Sequence, residues 1–235
     1  MSDPSTVSAC TVNALVEDTV TTPVAHQEAS PDATQSSVSA VAEALAGSAQ
    51  CETQDSLANW PDFPSLPPWL QQELRSDHAG EYGAVMIYRG ILAISKDARV
   101  REFAEHHLVT EQKHLCLMEQ IMAPAFRTRL LPIWRVMGWL TGALPALFGR
   151  EAVFATIEAV ETFVDRHYQQ QIDRLDPDGD HGELRDTLLA CQADEIQHRD
   201  EAAALRAFRR HVILRIWCAV VGWGSAAAVI AAKRI

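Results

Sequence analysis

Apolar residues recur at helical spacing from Pro67 to the end of the chain, and almost nowhere alternate as they would in a strand. The spacing predicts helices over about 68–95, 98–123, 150–175 and 183–208, followed by a last apolar helix that reaches the C-terminus. SKDA at 95–98, Pro124 and DPDGDHG at 176–182 break the pattern as turns. Between the second and third helices lies an apolar connection, about 130–149, long enough to carry the chain back along a bundle. Ahead of Pro67 the periodicity is missing. Residues 1–66 are rich in Ser, Thr, Ala, Val and acids, hold one short helical pattern near 38–46, and run into PDFPSLPP at 61–68. That composition predicts a largely disordered acidic extension, 1–66, ahead of one all-α domain, 67–235.

Charge sharpens the division. Residues 1–66 contain no Lys or Arg and nine of the 31 acids, which leaves 22 acids against 20 bases in the remainder, so most of the net charge of −11 belongs to the extension. No basic face is available for nucleic acid. The N-terminus has neither the Arg-rich pattern of a transit peptide nor the basic-then-apolar pattern of a secretory signal, and a bacterial-type cytoplasm is expected. Five well-separated cysteines, with no Cys-x-x-Cys, argue against a disulfide framework or a thiolate metal site.

Two Glu-x-x-His pairs carry the candidate chemistry, Glu111/His114 in EQKH and Glu195/His198 in EIQH. Residues three apart share a helix face, so each pair can converge on a metal or merely on itself. Their distances from the turns are more telling. The midpoint of Glu81 and Glu111 is residue 96, inside SKDA, and that of Glu161 and Glu195 is residue 178, inside DPDGDHG. In an antiparallel hairpin, equal distances from the turn bring residues level. Each hairpin then sets one Glu beside a Glu-x-x-His. The expected metal ligands are Glu81, Glu111, His114, Glu161, Glu195 and His198, the donor set of ferritin-like di-iron carboxylate sites. Carboxylates suit both oxidation states of iron and leave positions open for dioxygen, although manganese fits the same donors. Without a cation, four buried carboxylates would be costly or would take up protons.

Three neighbours are ambiguous from spacing alone. Glu158, one turn from Glu161, is the rival for that ligand position. His78, one turn before Glu81, reads as a supporting or capping residue. Asp194 is placed to accept a hydrogen bond from a ligand imidazole. DPDGD has the look of a calcium loop, but His181 stands where Gly is needed and Thr187 where Glu is needed, so it reads as a turn.

LRSDHAGEYGAVMIYRG at 74–90, EQKHL at 111–115, AVET followed by HYQQQI within 159–172, and DEIQHRD at 194–200 closely resemble the demethoxyubiquinone hydroxylases of ubiquinone biosynthesis. The resemblance covers about 70–235. It implies a ferritin-like four-helix bundle with two additional apolar, membrane-interfacial helices, and an enzyme that hydroxylates the benzoquinone ring of a polyprenylated precursor. By position it assigns the six residues above to two iron ions. It also matches His167 and Tyr168 to a pair near the iron site and substrate channel. Dioxygen and an external reductant such as NADH would be co-substrates, and a lipid-binding accessory protein of the pathway a partner. Thr162 stands where some relatives carry a second Glu, and the extension matches nothing in the family.

A lipid substrate demands access to the bilayer. LLPIWRVMGWLTGALPALFG (130–149) and IWCAVVGWGSAAAVIAA (216–232) carry Trp134, Trp139, Trp217 and Trp223 between flanking Arg and Lys, as interfacial segments do. Arg135, two glycines and Pro145 interrupt the first, and the second is short for a full span. Peripheral attachment to the cytoplasmic side of the inner membrane is therefore expected. The alternatives are a ferritin-type ferroxidase or iron store, a peroxide-scavenging di-metal protein, and a tRNA-modifying hydroxylase, the last disfavoured by charge.

Overall fold

The computed structural model describes residues 62–207 and 211–235, and within them every regular element is helical. The helices are α1 (Pro68–Ile94), α2 (Ala98–Ile121), α3 (Leu131–Leu147), α4 (Arg150–Ile172), α5 (Gly182–Ala204) and α6 (Val212–Arg234). Single 3-10 turns occupy Phe63–Ser65 and Pro124–Phe126. The expected extension lies outside the described residues except for 62–66. Of those, Phe63 and Leu66 are buried in an apolar cluster with Leu70 and Leu74.

Local chemistry sets the boundaries. Proline opens α1, where its missing N–H is not needed. In SKDA, Asp97 caps α2 by accepting from the backbone N–H groups of Arg99 and Val100 at 3.0 and 3.2 Å. DPDGDHG forms a turn in which Asp176 Oδ1 accepts from Asp178 N at 3.0 Å, as an Asx turn does. Gly149, at φ 93°, makes the bend before α4 that a residue with a Cβ would resist.

The connection at 130–149 is itself a helix, α3, with Pro145 in its last turn. Its glycines do not interrupt it; they let it lie backbone to backbone on α1. A Cβ on Gly142 would overlap the carbonyl of Ile87, and one on Gly90 the carbonyl of Trp139. A Cβ on Gly138 would sit 2.6 Å from the carbonyl of Gly83. The hairpins α1–α2 and α4–α5 form the bundle, and α6 packs on α1 and α4. Two apolar clusters fill it. One joins Val85, Tyr88 and Ile91 to Phe103, Leu108, Phe154 and Ile157; the other joins Leu70 and Leu74 to Met118, Met122, Tyr168, Ile172 and Leu188. Cys116 is disulfide-bonded, a bond the case against a disulfide framework did not foresee, whereas Cys191 and Cys218 are buried thiols, the latter donating to Ala155 O at 3.3 Å.

Of the expected interfacial tryptophans, Trp223 is 82% exposed. Trp217 instead turns inward and donates from Nε1 to Thr156 Oγ1 at 2.8 Å. Trp134 and Trp139 are half-buried. Exposed apolar side chains nevertheless line both outer helices, including Ile133, Val136, Met137 and Leu147 on α3 and Ile213, Ile216 and Val220 on α6. Among the described residues α6 is the helix long and apolar enough to cross a membrane, by length and composition alone.

Candidate metal centre

Between the two apolar clusters lies a buried polar layer. Glu81 comes from α1, Glu111 and His114 from α2, Glu161 from α4, and Glu195 and His198 from α5. All six are at most 5% exposed. The mirrored hairpins bring them level, as equal distances from the turns require. Glu81, Glu111, His114 and Glu195 offer donor atoms within 4.8 Å of one another, and so do Glu111, Glu161, Glu195 and His198. Glu111 and Glu195 belong to both groups. Each group has one carboxylate and one imidazole of its own beside the two shared carboxylates, so the six residues would suit two neighbouring cations.

The contacts are those of donors turned inward. His114 Nδ1 lies 3.0 Å from Glu195 Oε1 and 3.7 Å from Glu81 Oε2. His198 Nδ1 lies 3.1 Å from Glu111 Oε1 and 3.3 Å from Glu195 Oε2. Yet His198 Nδ1 and both oxygens of Glu111 form no aligned hydrogen bond. Orphaned buried polar atoms are rare because each costs about 1–3 kcal/mol, and here they converge on one point. A cation would satisfy all three.

Electrostatics give the same picture. Burial, followed by the charge of Glu195, pushes the carboxyls of Glu111 and Glu161 well above the usual range. Burial also raises Glu81, to about 7, against the opposing pull of His114. Glu195 is lifted by burial too, but the His114 hydrogen bond and the neighbouring His198 outweigh that and bring it down to about 2. Burial opposes the charge on His114, and Glu195 and Glu81 overcome it and raise the imidazole to about 10. His198 is raised by Glu195 in the same way. These shifts favour protonated carboxyls at Glu81, Glu111 and Glu161, and divalent cations would replace those protons.

The ambiguous neighbours resolve. Glu158 pairs with Arg206 Nη1 at 2.5 Å, so Glu161 takes the inward position. Asp194 accepts from His114 Nε2 at 3.1 Å, the outer nitrogen of that ring. His78 is fully buried but lies away from the cluster, 3.8 Å from Glu119, and burial with the nearby Arg127 charge lowers it to about 4. Tyr168 touches the cluster directly, donating to Glu81 Oε1 at 2.5 Å. His167 stands one step back, with Nε2 at 3.0 Å from Asp77 Oδ1 and 3.2 Å from Ser76 Oγ.

Sequence reasoning did not single out Asp77 or Gln171, which donates to Asp77 Oδ1 at 2.8 Å. Their spacing was the available signal, since Asp77 is four residues before Glu81 and Gln171 four after His167. It also passed over His107 and Glu201, 2.9 Å apart beside His198.

Fold and cluster together define a ferritin-like helical bundle with a candidate two-cation carboxylate–imidazole centre. The family described as Ubiquinone biosynthesis protein COQ7 matches residues 68–232, and the chain belongs to that family. It is 38% identical over 144 residues to a 3-demethoxyubiquinol 3-hydroxylase of Rhodospirillum rubrum, covering 60% of this chain and 66% of the relative. It is 36% identical over 135 residues to the mitochondrial NADPH-dependent 3-demethoxyubiquinone 3-hydroxylase of Dictyostelium discoideum, covering 55% of this chain and 61% of that one. The corresponding enzyme of Homo sapiens is 36% identical over 133 residues, covering 54% and 60%. The alignments therefore span slightly under two thirds of each of these relatives.

Proposed function

We propose that the chain is a monooxygenase of ubiquinone biosynthesis that hydroxylates the benzoquinone ring of a polyprenylated demethoxyubiquinone. The observation that carries the reading is the pair of overlapping donor groups sharing Glu111 and Glu195. Family membership and the names of the relatives support the pathway and the reaction class.

Glu81 and His114 would hold one iron ion and Glu161 and His198 the other, with Glu111 and Glu195 between them. When bound, the two irons supply the activation of dioxygen. The chain's own residues provide the setting. Tyr168 fixes Glu81 by donating to Oε1, and Asp194 fixes the ring plane and tautomer of His114 by accepting from Nε2. The apolar clusters on either side exclude water from the layer. His167, held by Asp77 and Ser76 next to Tyr168, is placed to keep or pass a proton at Nε2. No nucleotide-binding glycine motif accompanies the bundle, so electrons come from an external reductant. The relatives' names make NADPH, or the NADH expected above, a natural first trial.

The isoprenoid tail calls for a lipid-facing surface, and the exposed apolar side chains of α3 and α6 supply one. We place the protein peripherally on the cytoplasmic side of the inner membrane, with a lipid-binding accessory protein as a candidate partner. The same exposed surface disfavours a soluble ferritin-type shell. Mass spectrometry of quinone lipids in cells lacking the protein tests the assignment. Accumulation of the ring-unhydroxylated methoxy precursor, restored by wild type but not by Glu111→Ala, is expected; a normal quinone profile would refute it.

A further inference from the structure

The two candidate ligand imidazoles are backed differently. His114 has a carboxylate behind it, with Nε2 3.1 Å from Asp194 Oδ2. By the symmetry of the hairpins the residue matching Asp194 is Thr110, since each precedes the Glu of its Glu-x-x-His, and Thr110 brings no carboxylate. Instead, His198 packs against a third imidazole. The rings of His107 and His198 lie 4.1 Å apart, centroid to centroid, inclined at 62°.

His107 is one turn before Glu111 on α2, and Glu201 is one turn after His198 on α5. They meet directly, His107 Nε2 lying 2.9 Å from Glu201 Oε2. His107 is 1% exposed and also packs against Phe103, at 4.3 Å between ring centroids. Its Nδ1 has no hydrogen-bond partner, an expense that an aliphatic residue filling the same space would avoid. The Glu201 side chain is 39% exposed, so this link runs from the surface of α5 to a ring that touches the cluster.

We propose that His107 and Glu201 are positioning residues for His198. Glu201 accepts from His107 Nε2 and fixes that ring, and the ring contact fixes the plane of His198. The proposal rests on the reading of the cluster as a two-cation centre. A carboxylate behind an imidazole both orients it and raises its basicity, whereas a neutral ring only orients it. The half built on Glu161 and His198 is therefore the weaker of the two, and it depends on His107.

The test is anaerobic titration of the full-length, chelator-stripped protein in detergent with Co(II), followed by visible absorption. Two unequal binding steps are expected. His107→Phe keeps a ring of similar size but cuts the link, and should weaken the second step about 10-fold, shifting its absorption band and leaving the first step unchanged. Glu201→Leu should reproduce that effect, whereas Glu201→Gln, whose amide oxygen can still accept from Nε2, should stay near wild type. Asp194→Asn should weaken the first step instead. Because Glu201 is partly exposed, Glu201→Leu carries the test even where His107→Phe fails to fold. Unchanged titrations in Glu201→Leu, or equal losses in both steps, overturn the positioning role. Failure of the wild type to take up two cations overturns the two-cation reading itself.

Discussion

Loading the cluster with two divalent cations should expel protons, and the structure shows which side chains supply them. In the metal-free protein the surrounding carboxylates raise both imidazoles, His114 to about 10 so that it is charged at pH 7, and His198 in the same direction. Burial and the charge of Glu195 push Glu111 and Glu161 well up, which favours their protonated forms. Glu195 is ionised and Glu81, near 7, is about half protonated. Cations need neutral imidazoles and ionised carboxylates, so loading displaces protons from the two histidines and from Glu111, Glu161 and Glu81. At pH 7 His114, at about 10, supplies about one proton and Glu81, at about 7, about half of another, and the raised His198, Glu111 and Glu161 add to these. A solvent-exposed site of the same composition would release almost none at this pH, because its carboxylates would already be ionised and its imidazoles mostly neutral. The assay adds Fe(II) or Mn(II) anaerobically to stripped protein in weak buffer with an indicator dye. Release of fewer than about one proton per two cations would refute the account of how the empty cluster is balanced.

The same shifts fix the sign of the pH dependence. Glu81 has a raised folded value, so its contribution to the metal-free fold is complete below about 4.5 and is lost as pH rises through about 7. His114 behaves alike between about 6.5 and about 10. Glu195 is depressed, and its contribution disappears only as pH falls through about 2. Stripped protein should therefore melt at lower temperature at pH 8 than at pH 6, whereas loaded protein should not follow that trend; identical trends would count against the cluster as the cause. Tyr168→Phe removes the hydrogen bond that holds Glu81 down, so the Glu81 carbonyl stretch in infrared titration should persist to higher pH than in wild type. An unmoved titration would show that the phenol does not hold this carboxylate. Gly142→Ala drives a methyl into the Ile87 carbonyl and should cost about 1–3 kcal/mol in thermal or denaturant unfolding, whereas Gly224→Ala, with open space around it, should cost nothing. Equal stability of the two variants would disprove close packing of α3 on α1. Phe148→Ser with Trp223→Ser, both 82% exposed in the parent, should shift the protein from membrane to soluble fractions, and unchanged fractionation would remove the lipid-facing role.

Helix spacing and turn position were readable along the chain because both are local. Apolar residues every three or four positions fix which face of a helix turns inward, and Asp97 and the DPDGD turn fix where the chain reverses. Once those were known, level placement of Glu81 with Glu111 and of Glu161 with Glu195 followed from the constant rise of a helix. Choices between residues on neighbouring turns were a different matter. Glu158 and Glu161 are equivalent by periodicity, and Arg206, two residues past the end of α5, separates them by pairing with Glu158. Trp217 and Trp223 look alike in an apolar run, yet Thr156 on α4 gives one indole a hydrogen-bond partner and leaves the other in the open. The glycines of α3 read as interruptions until the carbonyls of Ile87 and Gly83 lie against them. His107 carries no mark along the chain, and only the meeting of α2 with α5 sets it against His198. Periodicity is a property of a segment, but burial, pairing and close approach belong to contacts between residues far apart in the chain, which come into being only when the helices pack.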